Sequence, residues 1–290
     1  MANLDDLRLT HPEIRPDYTI DQHWETYDAA EHGVWKTLYD RQAKVLPGRA
    51  CDEYLSGLAD LKLEAEGIPH LERLSDRLEK LTGWRVVSVP GLVPDEVFFD
   101  HLAHRRFPAG HFIRRADQLD YLEEPDIFHD VFGHVPMLAH PVFADYMEAY
   151  GKGGMRALNE FHALKNLARL YWYTVEFGLI AHGDGVRIYG SGIASSRTES
   201  IYAVESPSPN RIGFDLERVM RTEYRIDDFQ ESYFVIGSFE ELFAETYKDF
   251  AELYARLAGG ATYRPGDVLA GDRVVTRGTH SYVGGSHAAE

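Results

Sequence analysis

Cysteine is almost missing from this chain: Cys51 is the only one. A single thiol cannot form an internal disulfide, so the fold must hold without covalent cross-links, which suits a reducing compartment. Cys51 itself reads as an inert, partly buried thiol. Long apolar runs are missing too, and no stretch reaches the roughly 18 residues of a membrane-crossing helix. The start, MANLDDLRLTHPEIRPDY, is acidic, with no apolar stretch behind a basic region, unlike a secretory signal. The expectation is a cytoplasmic protein. Positive charge is in deficit: 30 Lys and Arg stand against 47 Asp and Glu, a net charge of -17. That balance argues against nucleic acid or an anionic membrane as the main partner. Internal repeats and low-complexity segments are also wanting.

What remains is an ordinary globular composition over 290 residues, enough to bury a sizeable core. Residues 1–20 are polar, carry two prolines and are expected to lie loosely on the surface. Residues 21–258 read as one domain, and 259–290, rich in glycine and polar residues, as an irregular tail whose last ten residues lack fixed structure. Trp24, Tyr27, Trp35, Leu38 and Tyr39 recur at helical spacing, which predicts a helix over 21–46. Further helical patterns cover 52–63 and 71–81, the second ended by Gly83 in the manner of a glycine cap. WRVVSV (84–89), VRIY (186–189) and SYFVI (232–236) read as strands. Residues 238–257 read as a helix with Ser238 as N-cap and Glu241 three positions on, a capping-box pattern. The fold class is mainly α with small β elements.

The most informative segment is EPDIFHDVFGHVP, residues 124–136. Pro125 suits a first helical turn, and Glu124 and Asp126 place negative charge where the helix dipole favours it. His129 and His134 are five positions apart, about 140° of rotation on an ideal α-helix, so their rings would diverge. They converge if the helix ends between them, and Gly133 and Pro136 are residues that would end it. A second pattern runs over 164–179: Leu164, Leu167, Ala168, Tyr171, Trp172, Val175, Glu176 and Leu179 share one helix face. A carboxylate on a core-facing stripe is costly without a cationic partner or a metal. Both partners remain open on Glu176 alone. Two imidazoles with a carboxylate are the ligand set of mononuclear non-haem iron(II) enzymes, which leave three positions open for oxygen and substrate. A zinc hydrolase could use the same donors, but HExxH is its usual form, and here Asp130 follows His129.

PDIFHDVFGHVP, FADYMEAYGKGG, LARLYWYTVEFGL and RIYGSGIASS together resemble the aromatic amino acid hydroxylases, and GRACDEYLSGL and GLVPDEVFFDHLAHRRFP fit the same family. The resemblance runs from about Trp35 to Tyr254 and is nearest to the short bacterial members. It implies the family's catalytic-domain fold, with iron(II) on His129, His134 and Glu176. It also implies tetrahydrobiopterin or a related tetrahydropterin as two-electron donor, and O2 as co-substrate. The implied reaction is hydroxylation of L-phenylalanine to L-tyrosine, in phenylalanine catabolism or tyrosine supply. Tyrosine or tryptophan hydroxylation is the alternative within the family, and a binding protein with a vestigial site the alternative outside it. The resemblance assigns the substrate carboxylate to Arg114 and the substrate ring to Trp172. Ser195 and Gly192 are placed near the substrate and Glu199 as a nearby acid, while Phe98, Val93 and Ala103 fall to the pterin. Leu122 and Glu123 stand where many animal members carry threonine and proline, and the threonine position contacts substrate there, so the resemblance assigns no contact to the substrate amino group at this point. Neither the regulatory domain nor the tetramerising helix of the animal members has a counterpart, which implies a monomer.

Each assignment has a plain structural competitor. Arg114 and Arg115 could be surface ion-pair residues, although a guanidinium fork is the natural reader of a carboxylate. Trp172 could be core alone, and Gly190 and Gly192 around Ser191 a plain turn. Phe98 and Phe99 are neighbours, so only one of them faces a cleft.

Overall fold

A computed structural model describes residues 4–120 and 124–282. The chain forms two compact units, Met1–Lys44 with Asp52–Met155, and Val45–Cys51 with Arg156–Glu290. The N-terminal segment carries a short helix, Leu4–Thr10.

In the first unit the helix expected over 21–46 starts late. A 3-10 turn, Trp24–Thr26, comes first, and the α-helix runs Ala29–Val45. Asp28 sets this start: its carboxylate accepts from the N–H groups of Ala30 and Glu31 at 2.7 and 2.9 Å. The Glu31 carboxylate in turn accepts from the Asp28 N–H at 2.8 Å. This reciprocal box satisfies donors that the helix start would otherwise leave unpaired. Helix Asp52–Asp60 stops short of the expected 63, and Lys62 follows in a left-handed conformation. Helix Leu71–Thr82 ends as expected at Gly83, whose φ of 76° costs a glycine little.

Strand β1 (Arg85–Val89) pairs in parallel with β2 (Arg106–Gly110), and helix Asp95–Ala103 makes the crossover. Sequence alone gave no sign of β2, since RFPAG is short and carries a proline. Trp35, Phe128 and Phe132 lie at the centre of this unit. Phe128 and Phe132 stack at 4.7 Å, and Trp35 meets Phe128 edge-on at 5.2 Å.

The second unit holds a five-stranded sheet of β3 (Leu179–His182), β4 (Gly185–Ile188), β5 (Asn210–Gly213), β6 (Ser232–Ile236) and β7 (Val274–Thr276). The order is β4-β3-β6-β5-β7; β6 runs parallel to β3 and β5, and the two outer pairs are antiparallel. VRIY and SYFVI are β4 and β6. Strand β7 and the contacts of Ser281 and Tyr282 lie in the segment expected to be irregular. The rest of that expected loose end is outside the described residues. The helix expected over 238–257 is two helices, Phe239–Thr246 and Ala251–Leu257. Ser238 caps as expected, accepting from the Glu241 N–H at 3.1 Å, but the Glu241 carboxylate accepts from the N–H of Gly237 rather than of Ser238, and Asp249 starts a second helix by accepting from the Ala251 N–H at 2.9 Å. Helices with two small sheets make the mainly helical α+β class expected.

One close approach fixes the neighbourhood of the histidine segment. A Cβ added at Gly57, on helix Asp52–Asp60, would lie 2.1 Å from the Pro136 carbonyl oxygen, whereas one at Gly33 meets nothing within 4 Å. Gly57→Ala is expected to destabilise by roughly 1–3 kcal/mol. Gly33→Ala, exposed within a helix, should stabilise by about 0.5–1 kcal/mol. Thermal unfolding followed by circular dichroism should therefore move in opposite directions for the two variants. Equal melting temperatures would contradict the packing described.

Candidate metal centre

His129 and His134 belong to a π-helical segment, Phe128–His134, and the helix does not end between them. It passes through Gly133 and continues as the α-helical turn Val135–Leu138, with Pro136 tolerated in its first turn. The expected terminator is therefore not the means of convergence. A π-helix bonds i to i+5, so the backbone itself brings residues five apart towards one face. The two rings meet nearly at right angles with centroids 5.1 Å apart, and their Nε2 atoms are 3.3 Å apart. His134 is 5% exposed and packs on Phe107 of β2 at 4.8 Å.

Asp126 organises the entry to this segment. Its fully buried carboxylate accepts from the His129 N–H at 3.0 Å and from the Arg114 N–H at 2.9 Å. Arg114 closes a two-pronged ion pair on the same group, Nε and Nη2 each at 2.8 Å. Burial alone would raise the Asp126 pKa, but these bonds outweigh it and hold the carboxyl below its ordinary value. Asp130 accepts from the Gly110 N–H at 2.8 Å and so ties the segment to the end of β2. The hydroxyl of Tyr54 donates to the Phe132 carbonyl at 2.6 Å. Arg115, by contrast, is exposed and paired with Asp117. Phe98 is half-buried and meets Phe99 edge-on, whereas Phe99 belongs to the core against Tyr150. Val93 and Ala103 are half-buried at either side of the Phe98 helix. Leu122 and Glu123 lie outside the described residues.

In the second unit the expected helix over 164–179 is an α-helix, Leu164–Tyr171, followed by a π-helical turn, Trp172–Glu176, and then β3. Leu179 is thus a strand residue. The Thr174 hydroxyl donates to the Leu170 carbonyl at 2.6 Å, and the Phe177 N–H reaches back five residues to Trp172 at 2.8 Å. Such hydroxyl back-bonding competes with the α-helical ladder. Burial also differs from expectation. The core face is Leu167, Leu170, Tyr173 and Val175, while Leu164, Ala168, Tyr171, Trp172 and Glu176 are half-buried. Much of the stripe read as core-facing is therefore an accessible face.

The GSG turn is built against Glu176. Ser191 donates to Glu176 Oε2 at 2.9 Å. A Cβ at Gly190 would lie 2.5 Å from the Glu176 carbonyl oxygen, and one at Gly192 3.2 Å from Oε2. At Gly190 only glycine admits this approach, and at Gly192 the fit is tight, so the turn is not a plain one. Ser195 donates to the Ser191 carbonyl at 2.8 Å and closes the short helix Ser191–Ala194. Trp172 donates its indole N–H to Gln230 at 2.9 Å. Sequence reasoning missed Asp126 as a buried partner, Ser191 as the carboxylate's donor, and Gln230 altogether. The glycines around Ser191 were the one available signal.

Glu199 is buried and accepts from the Tyr233 hydroxyl, and Ser196 caps its helix. Burial pushes its pKa from 4.5 up to about 7, against the pull of Tyr233 and the Gln230 N–H.

A histidine pair and a hydrogen-bonded carboxylate, each on a π-helical turn of a mainly helical α+β fold, are the donor types of a mononuclear non-haem metal enzyme. Residues 13–259 match the family described as biopterin-dependent aromatic amino acid hydroxylase, and the chain belongs to that family. It is 65% identical over 271 residues to the phenylalanine-4-hydroxylase of Caulobacter vibrioides, covering 93% of this chain and 92% of the relative. Among solved structures, iron- and phenylalanine-bound phenylalanine hydroxylase from Chromobacterium violaceum superposes with a TM-score of 0.86 at 55% identity, covering 89% of this chain and 94% of that one. The form from the same organism with iron(III) and 7,8-dihydrobiopterin gives 0.88 at 53% identity, over 94% and 99% of the two chains.

The buried acid gives a pH test. Below pH 4.5 Glu199 is protonated whether the chain is folded or unfolded, and its contribution is intact. Between 4.5 and about 7 the unfolded chain sheds the proton first, so stability falls as pH rises through that window. The loss should be of the order of 3 kcal/mol. Denaturant melts of Glu199→Gln should show that slope flattened, since the amide copies the neutral acid. An unchanged slope would mean that Glu199 is not the group responsible.

Proposed function

We propose that this chain hydroxylates L-phenylalanine to L-tyrosine, with O2 and a tetrahydropterin, at one iron(II) held by His129, His134 and Glu176. The donor set carries the reading: it is the one candidate group of three or more metal-ligating side chains among the described residues. Two neutral nitrogens and one carboxylate fit an open ferrous site. The two Nε2 atoms, 3.3 Å apart, are close enough to serve one metal ion. Bound there, iron activates O2 with electrons from the pterin. The relatives named above, two of them with iron and with phenylalanine or dihydrobiopterin bound, support the substrate and the cofactor.

The chain's own residues then bind and orient. Ser191 fixes one carboxylate oxygen of Glu176 and so orients the group. Arg114 holds the substrate carboxylate. Asp126 occupies its Nε and Nη2 edge and the Leu119 carbonyl accepts from Nη1 at 3.5 Å, so the remaining Nη hydrogens are the ones that would serve a second carboxylate. Trp172 packs on the substrate ring, and Ser195 and Gly192 line the same region. Glu199 supports it from the core. Phe98 stacks on the pterin, with Val93 and Ala103 beside it. An apolar wall at Trp172 favours phenylalanine over a phenol that would lie buried without a partner. Residues 21–258 act as one catalytic domain, in keeping with the extent of the family match. The reading includes a cytoplasmic setting, which the single buried cysteine suits, and a monomeric working state, which sedimentation equilibrium tests.

Aerobic turnover with iron(II) and a tetrahydropterin should yield tyrosine from phenylalanine, measured by chromatography. His134→Ala should lose both iron and tyrosine formation, and zinc should not replace iron, having no accessible redox chemistry. Full iron content and activity in His134→Ala would refute the ligand set. A higher specificity constant for tryptophan would overturn the substrate choice alone.

Arg114 is best tested with lysine. Arg114→Ala strands a buried carboxylate, which costs about 3–5 kcal/mol, and so confuses binding with folding. Lysine keeps the charge but cannot serve Asp126 and a substrate carboxylate together. The specificity constant for phenylalanine should fall at least about tenfold, with iron content retained. Arg115→Ala should stay near wild type. Steady-state kinetics on both variants would decide, and a defect confined to Arg115→Ala would mean that the wrong arginine was chosen.

A further inference from the structure

Trp172 is held from three directions by residues that the proposed chemistry does not use. Tyr224 stacks on it at 4.3 Å and 15°, and Phe177 lies tilted at 4.8 Å. Gln230 accepts the indole N–H at 2.9 Å. Gln230 comes from an irregular segment that leads into β6, yet it is only 1% exposed. Its amide nitrogen donates to the Arg225 carbonyl at 2.8 Å and the Asp228 carbonyl at 3.4 Å. Its backbone N–H goes to the Glu199 carboxyl. With the nitrogen committed to two carbonyls, the amide oxygen is turned to the indole and cannot be exchanged by a flip without losing all three bonds.

The outer side of this segment is fastened by the C-terminal part of the chain. Tyr282 donates its hydroxyl to Asp228 at 2.9 Å, and its N–H to the Ser208 hydroxyl oxygen at 2.9 Å. Its ring packs against Phe229 and Tyr202 at 5.1 and 5.5 Å, and those two stack on each other at 4.3 Å. The contacts therefore run without a gap from Tyr282 through Asp228 and Gln230 to Trp172.

We infer that Gln230 is a positioning residue for the hydroxylation. It fixes the Trp172 ring, and Tyr282 locks the segment that carries Gln230. The inference rests on the reading of Trp172 as the wall for the substrate ring. A ring held loosely beside an oxidant lets the pterin be consumed without product, because productive geometry tolerates little displacement. The readouts are thus the KM for phenylalanine and the tyrosine formed per tetrahydropterin oxidised.

The iron-loaded enzyme should be compared with Trp172→Phe, Gln230→Met, Tyr282→Phe and the double variant Trp172→Phe/Gln230→Met. Gln230→Met should raise the KM for phenylalanine about fivefold or more and lower the product ratio, with iron content and the KM for pterin unchanged. Tyr282→Phe, which keeps the ring and removes one bond, should move both readouts the same way by roughly twofold. The double variant should be no worse than Trp172→Phe, because phenylalanine leaves Gln230 no indole to hold. Additive effects in the double variant would overturn the inference, as would a normal KM and product ratio in Gln230→Met beside a defective Trp172→Phe. A Trp172→Phe enzyme with both values normal would instead remove the reading of Trp172 on which it rests. If Gln230→Met fails to fold, Tyr282→Phe decides alone, and a normal product ratio there sinks the proposal.

Discussion

Histidines five residues apart share a face only where the helix is widened, and the widened turn of Phe128–His134 is what the histidine pair depends on. Such a turn is rarer than the α-helix and must be held by its surroundings. Asp126 takes the His129 N–H at its start, Tyr54 takes the Phe132 carbonyl within it, and Asp130 fastens it to β2. The stacked Phe128 and Phe132 fill the core beneath. The same device recurs at Trp172–Glu176, where Thr174 occupies a carbonyl of the preceding α-helix. Candidate ligands in both units thus lie on backbone that local propensity alone would not choose.

Asp126 joins two tasks at one buried charge. Its carboxylate carries the Arg114 fork and a backbone bond from the first histidine, so the guanidinium and the histidine segment are set by one group. A buried pair of this kind adds little net stability compared with apolar packing, because desolvation offsets the attraction. Its value lies in direction: a rigid ion pair leaves the arginine a single orientation.

The residue types of the candidate ligands were legible in the sequence, and the backbone that carries them was not. His129, His134 and Glu176 stood out by residue type and spacing, but Gly133 and Pro136 suggested a helix end where the helix widens and continues. Periodicity cannot signal a π-helical turn, since the contacts that hold it, such as Tyr54 to Phe132, are far apart in the chain. Glu176 was read on a buried stripe because an α-helical wheel was carried through Leu179, beyond the point where that wheel applies. Gly83 and Ser238 were legible because caps are local. β2, β3, β5 and β7 were not, being three to five residues long and stabilised by partners rather than by pattern. Gln230 sits in a segment with no period at all.

The chain enters its second unit early, with Val45–Cys51, leaves it for more than a hundred residues and returns at Arg156. That early segment is not idle there: the Ile188 N–H donates to the Arg49 carbonyl and the Ile188 carbonyl accepts from the Cys51 N–H, bridging Ala50, and Arg49 grips Glu205, 156 positions on. During synthesis these residues emerge long before their partners exist. Contacts of such span make for slow assembly, but they also mean that neither unit can be cut away as a continuous stretch of chain.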